Sequence, residues 1–321
     1  MQKDYKIDNI RAIAIISVVI GHSIILYSNS WNLYNSLQSS AFFNYLMLFI
    51  GAYQMPLFFS LSGYLFAKTR GKSMDFLKYI SKKFRRLIIP FIVIALFWMI
   101  PIKMLLHYPY YDGMSYPTIL IRFLKGYHLG HLWYLPTLFF IFVIMYCVVK
   151  LFGDKEKTYI IAFGITMCLN CFHERLPLLK LIYPVYIYRF AWSFVLGTIL
   201  YKTKLITYIK SFSKAITIIT VIITILHVFN WIINDTIVAT AIILTAYLIM
   251  PNKSIRLLEK ISNHSYGIYL LHSPLIYITF TFLLDTVPIV VVAVNLILFG
   301  GLAYIITDLL KKSKLRFIIG D

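Results

Sequence analysis

The sequence predicts an all-α membrane protein, a polytopic bundle of about ten transmembrane helices with both termini in the cytoplasm. Of its 321 residues, 60% are apolar and 13% are charged, and the mean hydropathy is +0.79. The apolar residues fall in runs close to the roughly 20 residues that a helix needs to cross the hydrocarbon of a bilayer. No soluble core needs so many runs of this kind, because soluble domains alternate apolar with polar positions.

Ten apolar runs divide the chain, and each is predicted to be one membrane span. The fifth and eighth are short, so a broken or tilted helix remains open at either place. No long linker, internal repeat or soluble module is evident, and residues 1–321 are therefore predicted to form one membrane domain. The predicted spans are Ile10 to Leu26, Phe42 to Phe66, Leu87 to Leu106, Leu132 to Leu151, Tyr159 to Phe172, Tyr183 to Tyr201, Ala215 to Ile233, Thr236 to Met250, Tyr266 to Leu284 and Val287 to Leu310.

The positive charge predicts the orientation of these spans. A net charge of +19 would suggest a nucleic-acid partner in a soluble protein. With ten spans, however, 24 of the 31 basic residues fall on one side of the membrane and only five on the other. Lysine and arginine concentrate on the cytoplasmic side of membrane proteins. We therefore expect a multi-pass protein of the bacterial cytoplasmic membrane with no nucleic-acid partner.

The first span carries three ionisable residues, Asp8, Arg11 and His22, on a helix that could have been wholly apolar. Eleven residues are about three helical turns, so Arg11 and His22 share a face roughly 16 Å apart along the axis. Asp8 is in position to pair with Arg11. Arg11 alone is weak evidence, because it can snorkel to the membrane surface. His22 lies deeper and can accept a proton, although a role in packing or in helix-to-helix hydrogen bonding is the alternative.

The second span ends near Ser62 and Gly63, small residues that permit close helix approach. A basic cluster then runs directly into the third span; it contains Lys82, Lys83, Arg85 and Arg86. The cluster is either a positive-inside anchor or a site for phosphates, to which arginine offers paired hydrogen bonds.

Further histidines occur at the fourth and ninth spans. His128 and His131 precede the fourth span, but without a third ligand they predict no metal site, and an interfacial belt of aromatic and polar rings is preferred. His272 lies inside the ninth span. One buried histidine is easily a coincidence, whereas several in one small bundle are less so.

Taken together, these segments resemble the acyltransferase-3 family of membrane O-acyltransferases over nearly the whole chain. The family pattern of an arginine, ten residues and a histidine fits Arg11 and His22. The other four matching patterns contain Phe58, Phe59, Ser62, Gly63 and Tyr64; Arg85, Arg86 and Pro90; His131, Trp133 and Tyr134; and Tyr266 through His272. Each pattern is short, but five in order across ten spans are specific.

The resemblance implies an enzyme that transfers an acyl group, most often acetyl, from a cytoplasmic acyl-CoA to a hydroxyl of a sugar. Members that modify bacterial surface polysaccharides are the most similar, and the type expected here is the one without an additional extracytoplasmic domain. The expected partners are membrane lipids, acetyl-CoA as co-substrate and a glycan or lipid-linked sugar acceptor. A homo-oligomer remains open, and no metal is expected.

The resemblance also implies roles for single residues. His22 is expected to be the general base or a transient acyl carrier, and Arg11 to orient the donor. Binding of the CoA phosphates is expected from Lys83, Arg85 and Arg86. Contacts to the acceptor are expected from Ser62, His131, Trp133, Tyr134 and His272. A transporter or flippase of a lipid-linked glycan is the main alternative, because it too would combine many spans with buried ionisable residues and basic cytoplasmic loops.

Overall fold

The computed structural model describes residues 3–28, 40–69, 75–172, 186–229 and 234–320, and these ranges contain helices and turns but no β-strand. Eleven helices are numbered here along the described chain. They are α1 (Tyr5–Ile24), α2 (Ala41–Thr69), α3 (Phe76–Leu105), α4 (Tyr116–Leu124), α5 (Tyr134–Phe152), α6 (Glu156–Phe172), α7 (Ile187–Lys202), α8 (Leu205–Val228), α9 (Asp235–Ile249), α10 (Arg256–Phe282) and α11 (Pro288–Lys312).

Six of these helices, α1, α2, α3, α5, α8 and α11, are long and apolar enough to cross a membrane, so the chain is a multi-pass helical membrane protein. The other four predicted spans lie on α6, α7, α9 and α10. Three of those helices have only 17, 16 and 15 residues, and α10 has 27 but begins with charged residues. The predicted start of the sixth span, Tyr183, and the predicted end of the seventh span, Ile233, lie outside the described residues. Ten spans and two cytoplasmic termini therefore stay predictions.

The helix α1 lies in the interior of the bundle. Two-thirds of its most apolar stretch, 67%, is buried by protein, against 11% for α8. It packs mainly against α2 and α10. Its first turn is capped by Asp4, whose carboxylate accepts a hydrogen bond from the amide of Ile7 at 3.4 Å. The helix that carries Arg11 and His22 is thus shielded from lipid, whereas α8 faces outward.

Two glycines allow α2 and α7 to touch through their backbones. A Cβ added to Gly63 would lie 1.8 Å from the carbonyl oxygen of Phe194, and one added to Gly197 would lie 1.8 Å from that of Ser60. Only hydrogen fits in either place. The predicted close approach at Gly63 is confirmed, and it has the form of the small-residue contacts that membrane helices use.

The helix α3 departs from regular α geometry in two places. Its segments Phe84–Ile88 and Ala95–Met99 are π-helical. A π-helical turn holds an additional residue and so changes which side chains share a face; such turns are frequent at functional sites. The first segment contains the two arginines of the basic cluster.

Candidate active site

A cavity of about 440 Å³ opens between α1, α2, α3, α5, α10 and α11. We call it the basic cavity, because four cationic side chains from three helices line it and no acidic residue is among the described lining residues. The four are Arg11, Lys83, Arg86 and Lys311. A concave site of this size with one sign of charge attracts anions.

Arg11 is held at the wall of this cavity by two partners. Its guanidinium donates to Asp8 Oδ1 at 3.1 Å and to Ser262 Oγ at 3.3 Å, and Ser262 in turn donates to the same Asp8 oxygen at 3.1 Å. The pairing of Asp8 with Arg11 was predicted from the sequence and is present. Because a guanidinium has five N–H donors, these contacts leave others for a ligand.

Only some residues of the basic cluster line the cavity. Lys83 and Arg86, three residues apart, both line the cavity. The Nζ of Lys83 lies 3.5 Å from the centre of the Phe142 ring, a cation–π contact. Arg85 and Arg86 are both exposed, but only Arg86 is among the residues that line the cavity.

Only two of the predicted acceptor-binding residues Ser62, Tyr134 and Trp133 line the basic cavity. Ser62 and Tyr134 line the basic cavity, and their hydroxyl oxygens lie 3.2 Å apart. Trp133 does not line it and instead stacks on Phe190, with 5.1 Å between ring centres. Tyr64, another residue of the matched segment, donates to Asp4 at 3.2 Å and so helps anchor the start of α1.

Three histidines that are far apart in sequence meet near the centre of the bundle. His22 comes from α1, His131 from the turn before α5, and His272 from α10. The ring centre of His22 lies 5.0 Å from that of His272 and 6.4 Å from that of His131. The ring centres of His131 and His272 lie 5.6 Å apart. We call these residues the histidine cluster. In the described part of the chain, no group of three or more histidine, cysteine or acidic residues could hold a metal ion.

The hydrogen bonds of His272 fix the arrangement of protons in the pair it forms with His22. Its Nδ1 lies 2.8 Å from the carbonyl oxygen of Ile268 and 3.0 Å from that of Tyr269. A carbonyl can only accept, so Nδ1 carries the hydrogen and Nε2 of the neutral ring is an acceptor. His22 Nδ1, at 2.8 Å, therefore donates to that Nε2. The remaining nitrogen of His22, Nε2, is left with a lone pair.

The two rings differ in exposure, which separates their roles. His272 is fully buried, with none of its surface exposed, whereas His22 is partly exposed. His272 was expected among the residues that contact the acceptor. In the structure His272 accepts a hydrogen bond from His22 and is placed to orient that ring, whereas its contact with the acceptor stays a prediction.

His131 is oriented by the backbone of α10. Its Nε2 donates to the carbonyl oxygen of Leu270 at 3.1 Å, and its own carbonyl accepts a hydrogen bond from the hydroxyl of Tyr269. Its Nδ1 is buried and has no hydrogen-bond partner among the described residues. That acceptor nitrogen is available to a hydroxyl group, since buried polar atoms are normally paired.

Two tyrosines form the wall between the basic cavity and the histidine cluster. Tyr134 and Tyr269 both line the cavity, and their ring centres lie 5.5 Å apart. On its other side, Tyr269 lies 5.5 Å from the His131 ring. Sequence reasoning did not single out Ser262 or Lys311, and it included Tyr269 in the matched segment Tyr266 through His272 without giving it a role. The signal for a role of Tyr269 was its position one helical turn before His272, which places both on one face of α10.

The fold and the site thus define a polytopic helical membrane protein in which a basic cavity is separated by Tyr269 from a cluster of three histidines. A family model described as an acyltransferase domain matches residues 4–309, nearly the whole chain. The chain belongs to the acyltransferase-3 family, as its motifs predicted, and this membership indicates a membrane acyltransferase. Searches of curated proteins and of solved structures gave no match.

Proposed function

We propose that this membrane acyltransferase transfers an acetyl group from acetyl-CoA to a hydroxyl of a bacterial surface or lipid-linked glycan. The observation that carries the proposal is the geometry of His22: its Nε2 keeps a lone pair, and Tyr269 lies between its histidine cluster and a cavity lined by cations. The family supplies the reaction class, acyl transfer. The donor, the acyl group and the acceptor are argued below from the chemistry of the cavity and of the histidines.

The basic cavity fits the phosphates of a CoA donor. Arg11, Lys83 and Arg86 face it without acidic neighbours in its described lining, apart from the Asp8 carboxylate behind Arg11. Arginine binds phosphate through paired hydrogen bonds, and lysine adds a point charge. CoA carries its phosphates at one end and its thioester at the end of a long, thin arm. Phosphates held in the cavity would let that arm reach past Tyr134 and Tyr269 towards His22.

His22 then acts through Nε2 in one of two ways. As a general base it takes the proton of the acceptor hydroxyl while the oxygen attacks the thioester carbonyl; the C–S bond breaks, and the CoA sulfur receives the proton. As an acyl carrier, the same lone pair attacks the thioester carbonyl first, the C–S bond breaks and CoA leaves as the thiolate. The acceptor hydroxyl then attacks the acyl-imidazole, the C–N bond breaks to free the His22 ring, and the hydroxyl proton passes to the CoA sulfur. Both routes need the tautomer that His272 imposes. A positioned base contributes about 10² to 10⁴ in rate.

The proposed topology follows from the donor. Acyl-CoA is a cytoplasmic metabolite, so the basic cavity opens to the cytoplasm, on the same side as both termini and most basic residues. The histidine cluster lies deeper, where an acceptor that enters from the other side can meet the acyl group. The chain would thus work in the bacterial inner membrane as a multi-pass enzyme.

The test uses purified full-length protein in lipid vesicles with acetyl-CoA and a glycan acceptor. We expect release of free CoA together with an O-acetyl resonance on the glycan, and loss of both in His22→Ala. His107→Asn is the matched control, because His107 is an exposed histidine with a positive φ of 50°, a conformation that asparagine tolerates. Normal transfer by His22→Ala, or movement of the acceptor across the membrane without thioester loss, would contradict the proposal.

A further inference from the structure

A lysine is buried at the end of α3 that lies away from the basic cavity. Lys103 is only 1% exposed, and it is 17 residues after Arg86 in the sequence, about 25 Å along a helix. None of the ion pairs in the described part of the chain includes it. Its Nζ instead lies 4.2 Å from the ring centre of Tyr108 and 4.5 Å from that of Tyr277.

The aromatic rings compensate this charge only in part. A buried ammonium group costs several kcal/mol when it lacks a counter-ion. Each cation–π contact returns about 0.5 to 2 kcal/mol. A buried ammonium with aromatic neighbours and no carboxylate is therefore in surroundings that a bound anion would improve.

Contacts between α3 and α10 place Lys103 relative to the histidine cluster. The indole nitrogen of Trp98 donates to the carbonyl of Leu271 at 3.0 Å, which sets Trp98 level with the neighbouring His272. Lys103 follows Trp98 by five residues and meets Tyr277, so it lies about 7 to 8 Å further along the bundle axis. Lys103 is thus on the far side of the histidines from the basic cavity.

The surroundings of Lys103 contain a close backbone contact and an unused hydroxyl group. A Cβ added to Gly130 would lie 3.4 Å from Lys103 Nζ, so the absence of a side chain lets the Gly130 backbone lie beside the ammonium. The hydroxyl of Tyr111 is buried and has no hydrogen-bond partner among the described residues. Its ring lies 5.1 Å from that of Tyr108, in the same aromatic group. These features describe a small site with a cation, a hydroxyl and apolar faces.

We propose that Lys103 binds an anionic group of the acyl acceptor, a carboxylate or a phosphate, while Tyr108 and Tyr277 pack against its apolar faces. The proposal rests on the proposed function, because it names the class of acceptor: an acidic or phosphate-bearing sugar rather than a neutral one. An acceptor held in this way has its hydroxyl groups directed towards the histidine cluster. Lys103 makes no covalent bond; its role is to bind and orient.

The test measures binding without acyl-CoA, so that it stays independent of the transfer reaction. Purified protein in detergent is titrated with methyl β-D-glucuronide, glucose 1-phosphate, methyl β-D-glucoside and inorganic phosphate. A charge-assisted hydrogen bond contributes enough to tighten binding about tenfold or more. We expect this preference for at least one of the two anionic sugars over the glucoside. Tight glucuronide binding identifies a carboxylate as the recognised group, and tight glucose 1-phosphate binding identifies a phosphate.

Variants assign the preference to this lysine. Lys103→Met is expected to abolish it, and Lys103→Arg to retain part of it, because the charge remains. Lys125→Met is the matched control, since Lys125 is exposed just after α4. Lys103→Met removes a buried charge at nearly constant volume, so its folded yield is expected to be normal or higher.

Three results would overturn the inference: no preference for either anionic sugar, an unchanged preference in Lys103→Met, or binding of inorganic phosphate as tight as that of both anionic sugars. The affinity for acetyl-CoA, measured separately, is expected to be the same in Lys103→Met as in the wild type. Failure of acetyl-CoA to bind the wild type would contradict the proposed function and would leave Lys103-dependent sugar binding intact, so the two failures are distinguishable.

Discussion

At the scale of single residues, the pair formed by His22 and His272 shows how hydrogen bonds can fix the tautomer of an imidazole. The two residues are 250 positions apart, and their nitrogens lie 2.8 Å apart. The backbone of α10 fixes the tautomer of His272, and His272 fixes that of His22. A neutral imidazole has two tautomers, and this chain of hydrogen bonds selects the one that presents a lone pair at Nε2.

His272→Ala is therefore expected to lower kcat about 10- to 100-fold, less than loss of the base itself, with little change in KM for acetyl-CoA. The reason is that His22 loses its acceptor and populates both tautomers. Steady-state transfer kinetics in vesicles, with protein amounts matched, provide the measurement. An unchanged kcat would show that His22 does not need this partner.

The basic cluster gives a second prediction at this scale. Arg86 lines the basic cavity and Arg85 does not. Arg86→Gln is expected to raise KM for acetyl-CoA about tenfold, because a charge-assisted hydrogen bond is worth about 1.5 to 3 kcal/mol. Arg85→Gln is expected to raise it less. Lys78→Gln, an exposed lysine of α3 away from the cavity, serves as the control in the same assay. Equal effects of both arginine changes would contradict the assignment.

At the scale of helices, the contact between α2 and α7 depends on two glycines that have no side chain. The backbones approach so closely that neither Gly63 nor Gly197 has room for a methyl group. Since lipid provides little hydrophobic drive between helices, such van der Waals contact is a main source of their association. The contact also positions Ser62, the residue next to Gly63, at the basic cavity.

Gly63→Ala is expected to destabilise the protein by about 1 to 3 kcal/mol, the usual cost of overpacking. Gly164→Ala is the matched control. Gly164 lies within α6, and a Cβ there would meet nothing within 4 Å, so alanine should be neutral or slightly stabilising. Thermal unfolding of both variants in the same detergent provides the comparison. Equal melting temperatures would rule out the proposed close contact.

Much of the helical architecture was predictable, because apolar runs report directly on membrane helices. Each predicted span overlaps a helix of the described chain. The short amphipathic helix α4 was not predicted, since a helix of nine residues falls below the length of a span. The choice between Arg85 and Arg86 was also beyond the pattern, because consecutive helical residues point in different directions and the motif does not say which of them meets the cavity.

The site was predictable only as a set of residues, not as an arrangement. Sequence motifs brought forward His22, His131 and His272, but their meeting depends on contacts among α1, α5 and α10. Lys103 shows the limit most clearly. The predicted spans make it one of five basic residues on the outer side. Nothing in the sequence indicates that its ammonium group is buried between Tyr108 and Tyr277.

At the scale of the whole molecule, the orientation in the membrane decides which side supplies the donor. With both termini in the cytoplasm, a fluorescent protein fused after residue 321 is expected to be bright. Alkaline phosphatase inserted at Gly113 is expected to be active, because residues 107–115 then face outward, and an insertion at Asp154 is expected to be inactive. The reverse pattern of activities would invert the proposed direction of acyl transfer.

The central position of α1 also has a consequence for synthesis. His22 enters the membrane with the first helix, but its partner His272 belongs to α10 and is translated 250 residues later. Until then, the partly exposed imidazole has no fixed tautomer, and the wall that Tyr269 contributes to the basic cavity is missing. A nascent chain therefore cannot assemble the reactive pair. If the proposed donor is correct, unfinished or truncated copies would be unable to consume acyl-CoA, and activity would begin only when most of the bundle is in place.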